Sequence, residues 1–328
     1  MTSIEQQSTE QLLEELERTK WKRVGKEILK DWRLYVLLIP LLLFMFMFKY
    51  LPIKGVLQAF KNNDGLNATT TVMHDDWMGL IGFKNLFNDV SFWTAFRNTF
   101  VNSMYGLVFG FPIPIFLALL FSEIKCYGYR SVVQVCSYLP KFLSTVVTTT
   151  IITIWCRNSQ GELGILTKVF MNFGWISSTD SILEMPKFFR PIYQVSGVWE
   201  GAGYGSIVYF AAVLAISPNY EAAKIDGANK LQQIRYVTLP SMAPTLTIML
   251  IMRIGQILNI GYEKVMLLYQ PGSYETADVI STYVYRKQTV ANDFSVGTAA
   301  DLFNSIIAMF LVLGANAISR KVSDTSLF

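Results

Sequence analysis

Four polar side chains interrupt an apolar stretch of this chain: Arg253, Gln256, Asn259 and Glu263, within "IMRIGQILNIGYEKVMLL". At 100° per residue they fall within about 120° of arc on one helix. A guanidinium, two amides and a carboxylate on one face can trade hydrogen bonds with a polyhydroxylated ligand. A second set, Trp199, Glu200 and Tyr204 in "GVWEGAGYGS", joins a carboxylate acceptor to aromatic faces on which sugar C–H groups can lie. Lys141, beside Pro140, is a further candidate. These groups also have a plainer use, since polar side chains between packed helices often only bond one another. Both uses stay open. No catalytic set and no metal site is expected: the one histidine, His74, has no Cys or His neighbours, and Cys126, Cys136 and Cys156 lack ligand spacing.

The elements that must position these groups are membrane helices. Of 328 residues, 52% are hydrophobic and 16% charged, and the mean hydropathy is +0.35. A soluble domain carries about 25% charged residues. Windows of about twenty residues nearly free of charge are long enough to cross ~30 Å of hydrocarbon. The pattern predicts an all-α membrane protein with six spans at about 34–51, 98–121, 132–156, 191–216, 241–268 and 297–319. Pro112 and Pro114 should kink the second, and the glycines of the fourth suit close packing. The net charge of +4 carries no argument for nucleic acid, because the bases are spread along the chain.

Residues 1–33 read as a separate segment, an amphipathic basic helix resting on lipid headgroups, with a merely solvated tail as the alternative. Residues 34–328 read as one six-helix domain. The first apolar run leads into "FKYLPIKG" rather than small residues, so it is expected to serve as an uncleaved anchor. Lysine and arginine are about twice as dense in 1–33, 122–131, 217–240 and 320–328 as in the other connections. That bias favours both termini in the cytoplasm of a plasma membrane, with 217–240 on the same side.

The connection 217–240, "SPNYEAAKIDGANKLQQIRYVTLP", is polar and reads as two short helices. Ser217 as N-cap with Pro218 behind it starts the first. Gly227 breaks it, Asn229 caps the second, and Pro240 is expected to end that second helix. The result would be an elbow suited to docking, with a lipid-resting loop as the alternative. Glu221, Ala222, Ala223, Asp226, Gly227, Gln233, Leu239 and Pro240 stand at spacings that resemble the "EAA" signature of the permeases of binding-protein-dependent ABC importers, in its sugar-importer form. "YLPIKGVLQAFKN", "GFKNLFNDVSFWTAFRNTF", "YLPKFLSTVV" and the tail from Phe294 resemble blocks of the oligosaccharide and polysaccharide subgroup.

That resemblance implies the type I importer fold and an elbow that inserts into a groove of a cytoplasmic ATPase dimer. It also implies a second homologous permease making a heterodimer, an extracellular solute-binding protein and a carbohydrate substrate. Glu221 would meet a basic group of the ATPase, and Gly227 would permit the turn. The chain has no G-x-x-x-x-G-K-[ST] loop. No cofactor is therefore expected on it, and ATP with magnesium belongs on the partner ATPase. A permease for a non-sugar solute is the nearest alternative. A channel or secondary transporter would leave the elbow unexplained, and a membrane enzyme would need a catalytic set that is missing.

Overall fold

A backbone inside hydrocarbon has no water to bond, so each crossing segment must satisfy its own N–H and C=O groups, as a helix does. The computed structural model describes residues 30–61, 77–157, 163–176 and 181–322, and these are almost wholly helical. The one extended pairing among them is an antiparallel bridge between Lys61 and Trp77. Most of the 1–33 segment, and His74, lie outside the described residues.

The chain divides into two units, Met1–Leu57 and Gln58–Phe328. In the first, α1 (Trp32–Met45) runs into a π turn at Phe46–Tyr50 and then 3-10 turns from Leu51. No residue of α1 is buried, and Leu34, Leu37, Phe44 and Leu41 are among its exposed apolar side chains.

The second unit begins with α2 (Ile81–Asn88), α3 (Val90–Gly110), α4 (Pro112–Glu123), α5 (Tyr127–Tyr138) and α6 (Thr145–Cys156). There follow α7 (Ile165–Asn172), α8 (Pro186–Leu214), α9 (Ser217–Ile225), α10 (Lys230–Gln233) and α11 (Leu239–Gly255). The last are α12 (Tyr262–Leu268), α13 (Tyr274–Ala277), α14 (Ile280–Tyr285) and α15 (Phe294–Val322). The runs Trp32–Phe60, Val90–Glu123, Lys230–Gly255 and Phe294–Arg320 are long and apolar enough to cross a membrane. The bent pair Tyr127–Phe142 and Thr145–Cys156 makes a fifth crossing if taken as one. Helix α8, at 29 residues, has the length for the sixth; its glycines and polar residues keep its apolarity lower.

Two expected spans are broken. The third, 132–156, bends by 94°. Pro140 ends α5 in a 3-10 turn at Leu139–Phe142, and Ser144 restarts the chain by accepting from the Val146 N–H at 3.3 Å. The fifth, 241–268, stops at Gly255 and resumes only at Tyr262. The second starts at Val90 rather than 98, because Asp89 caps it through the Ser91 N–H at 2.9 Å.

Among the described residues, packing is distributed over three buried clusters rather than one. Phe92, Tyr283, Leu86 and Val296 join α2, α3, α14 and α15. Phe189, Val265, Leu268 and Ile152 join α6, α8 and α12. Tyr209, Met242 and Ala118 join α4, α8 and α11. Helix α8 meets α5 so closely that a Cβ on Gly203 would overlap the Ser137 carbonyl.

Candidate functional site

Helices α3, α8 and α11 leave a cavity of ≈ 500 Å³ between them. Its bed is backbone. Gly106 and Gly110 lie one turn apart on α3, and Gly197, Gly201 and Gly205 repeat every fourth residue on α8. The Arg253 guanidinium lies over the α3 pair: a Cβ added to Gly110 would sit 3.3 Å from its Nη2, and one on Gly106 3.7 Å. Arg253 occupies the last turn of α11, where a cation complements the helix dipole. Among the described residues it has no ion pair and no hydrogen bond. Tyr193 and Tyr209 line the same recess.

The break after Gly255 decides which predicted residues meet. Arg253, Gln256 and Asn259 all line the cavity, and Glu263 does not. They cannot share one helical face as predicted, because Gln256–Gly261 lie outside any helix. An interrupted helix leaves carbonyls without partners, and these must be found elsewhere. The Ser103 hydroxyl of α3 donates to the Ile257 carbonyl, and the Asn304 amide of α15 donates to the Leu258 carbonyl at 3.3 Å. The break is thus held from two helices. Glu263 stands exposed in the first turn of α12.

The second predicted set separates. Glu200 binds Lys264 at 3.1 Å, with the two side chains only 14% and 12% exposed. Lys264 lines the cavity and also lies 5.5 Å from the centre of the Tyr193 ring. Trp199 and Tyr204 are exposed and outside the lining; Tyr204 meets Phe142 edge-on. Lys141 sits, exposed, in the 3-10 turn at the bend rather than within a helix.

Several polar wall residues escaped the sequence reading. Gln194 donates to the Asn102 carbonyl at 2.7 Å. Asn102 is 2% exposed, yet neither of its amide atoms has a partner. Leaving such a group unmet costs about 1–3 kcal/mol, so it is seldom kept without a use. Nearer the start of α3, Arg190 donates to Asn98 Oδ1 at 2.9 Å, and Asn98 donates to the carbonyls of Glu275 and Asp278. The available signal was Asn98-Asn102-Ser103, three polar residues on one turn-spaced face of an apolar helix.

The segment 271–293 caps this end. Arg286 grips Asp278 with two bonds of 2.6 and 2.7 Å, and the hydrogen bonds to that carboxylate raise its pKa further. Asp89 accepts from Tyr283 at 2.8 Å and pairs with Lys287 at 3.1 Å. Burial pushes its carboxyl up, but the bonds from Tyr283, Lys287 and Ser91 outweigh burial and hold it below the ordinary value.

The polar connection 217–240 does form an elbow. Glu221, Ala222 and Ala223 lie in α9, and Gly227 turns the chain at φ 81°, a left-handed conformation that favours glycine. Asp226 is the exposed C-cap residue of α9. Ser217 is the first helical residue, not the cap, which is Ile216. Asn229 and Gln232 make a reciprocal capping box at 2.9 and 2.8 Å. The buried Gln233 amide donates to the Ala228 carbonyl at 2.7 Å, and the Thr238 and Tyr220 hydroxyls bond at 2.9 Å, closing the elbow on itself.

Pro240 does not end the second helix. A π turn at Ile234–Thr238 shifts the hydrogen-bond register just ahead of a residue that has no N–H, and Leu239 and Pro240 simply open α11. Ile225, Leu231 and Tyr236 project from the elbow, 85%, 74% and 69% exposed.

Comparison with known proteins places this arrangement. Residues 110–323 match the family described as binding-protein-dependent transport system inner membrane component. Protein LplB of Bacillus subtilis is 34% identical over 91% of this chain and 92% of its own. The polygalacturonan/rhamnogalacturonan transport system permease protein YteP of the same organism is 31% identical over 95% of each. A bacterial ABC transporter involved in the import of the acidic polysaccharide alginate contains a chain of 39% identity and TM-score 0.82, with 92% of this chain and 99% of that one covered. A bacterial alginate ABC transporter in complex with an alginate pentasaccharide-bound periplasmic protein contains a chain of 39% identity and TM-score 0.80, with 92% of this chain and 99% of that one covered. A multi-pass helical chain, matched from Gly110 onward by the family model and nearly end to end by these relatives, belongs to the binding-protein-dependent transport system inner membrane components.

Proposed function

We propose that this chain is one of two membrane-spanning subunits of an ATP-driven importer, and that its cavity forms part of the path for an oligosaccharide. The observation that carries this reading is the cavity itself. A guanidinium, the amides of Gln256 and Asn259 and Lys264, itself paired with Glu200, surround a bed of glycine backbone. Such a surface exchanges hydrogen bonds with hydroxyls and lets a sugar ring come close. Relatives named for polygalacturonan and alginate transport support the carbohydrate assignment, and the periplasmic-protein complex supports delivery by an extracellular binding protein.

ATP and its magnesium belong to a separate cytoplasmic ATPase dimer, reached through the elbow of Glu221, Ala222, Ala223, Asp226 and Gly227. Two ATPase grooves and one elbow per chain call for a second, related permease. In this scheme both termini lie in the cytoplasm of a bacterial plasma membrane, and ATP-driven closure moves the two elbows together and opens the path outward. Co-purification from detergent-solubilised membranes tests it. The tagged chain should bring down a second permease and an ATPase, and Gly227→Leu should lose the ATPase while keeping the permease. Recovery of the ATPase unchanged in that variant, with unchanged uptake, would remove the elbow from coupling.

A further inference from the structure

The cavity is unbalanced in charge. Lys264 is neutralised by Glu200 at 3.1 Å, and Glu263 and Lys141 lie outside the lining. Arg253 remains with no carboxylate within ion-pair distance among the described residues. It rests against Gly106 and Gly110 and lines the recess with them. Asn102, with both amide atoms unpartnered, belongs to the same wall. The Arg253 side chain is exposed rather than buried, so its unpaired charge is open to an anionic group that enters the recess, which a neutral sugar lacks. The planar fork of a guanidinium matches a carboxylate with two parallel hydrogen bonds.

We propose that the cavity selects sugars bearing a carboxylate, uronic acid units, with Arg253 as the anchor for that group. The inference rests on the carbohydrate reading above and adds a charge requirement to it. The neutral hydroxyl contacts fall to Gln256 and Asn259. The Lys264–Glu200 pair, already compensated, contributes shape and hydrogen bonds without adding net charge.

The test uses the assembled transporter in detergent, with Asn259→Cys as the reporter. The exposed Cys126 and Cys136 are replaced by serine, and the buried Cys156 is kept. Labelling rates are measured with an anionic sulfonatoethyl and a cationic trimethylammonioethyl methanethiosulfonate, alone and with galacturonate or galactose as competitor. The anion should react faster than the cation, and Arg253→Gln should lower that ratio about tenfold. Galacturonate should slow labelling several-fold and galactose should not. Arg253→Gln should abolish the galacturonate effect, whereas Arg253→Lys, which keeps the charge but not the fork, should retain part of it. Equal protection by both sugars would overturn the charge requirement and leave the carbohydrate reading standing. An unchanged reagent ratio in Arg253→Gln would mean that another subunit already neutralises Arg253, which overturns it too. Protection by neither sugar would defeat both readings.

Discussion

Lys264 and Glu200 show how much one position depends on another sixty-four residues away. Each is mostly buried, so removing either strands a charge, which costs about 3–5 kcal/mol, whereas replacing both by apolar residues costs far less. A double-mutant cycle on thermal unfolding of the purified chain should therefore show Lys264→Leu and Glu200→Leu each destabilising, with the double variant milder than either. Additive losses would mean the pair is not coupled. Asp89 belongs to the same scale. Its folded pKa is below the unfolded one, so its contribution is complete above the unfolded value and is lost as pH falls through the folded value. Asp89→Asn should flatten the acid limb of the stability profile without altering the neutral plateau's slope. Arg253, Gln256 and Asn259 were legible as a polar group because residue type alone marks them in an apolar run. Lys264 and Asn102 were not, since their meaning depends on what faces them from another helix.

At the scale of elements, the apolar runs located the first, second and last crossing segments, and in the elbow the Gly227 turn and the Asn229 cap were readable, whereas the first cap is Ile216 rather than Ser217. The breaks were not. Whether a helix continues past Gly255 depends on whether the freed carbonyls of Ile257 and Leu258 find donors, and those come from Ser103 and Asn304, far off in the chain. Pro240 misled for a related reason: a π turn upstream accommodates it, and no local rule announces that turn. The glycines of α8 likewise look alike in sequence but differ in place. Gly203→Ala should cost about 1–3 kcal/mol, because the new methyl meets the Ser137 carbonyl of α5. Gly201→Ala meets nothing within 4 Å and should be tolerated, or even stabilise α8 slightly. Thermal unfolding of the two variants side by side checks the contrast; equal effects would show that α8 and α5 can move apart.

For the whole molecule, orientation is the first expectation to check. A reporter fused after Asp180 should be external and one after Asn219 internal; the reverse pair would put the elbow on the wrong side for an ATPase. With the elbow inside, the uninterrupted run Lys230–Gly255 acquires a mechanical meaning. Its 26 residues make a rod about 39 Å long, with the capping box of Asn229 at one end and Arg253 near the other. Had Pro240 broken the helix, a push on the elbow would have been absorbed in a joint. As built, a tilt of about 10° applied at Asn229 swings the Arg253 end by roughly 7 Å on a lever of that length. If an ATPase pushes on the elbow as proposed, the same backbone that receives the stroke would shift the cation against Gly106 and Gly110, and grip and release would be two positions of one lever.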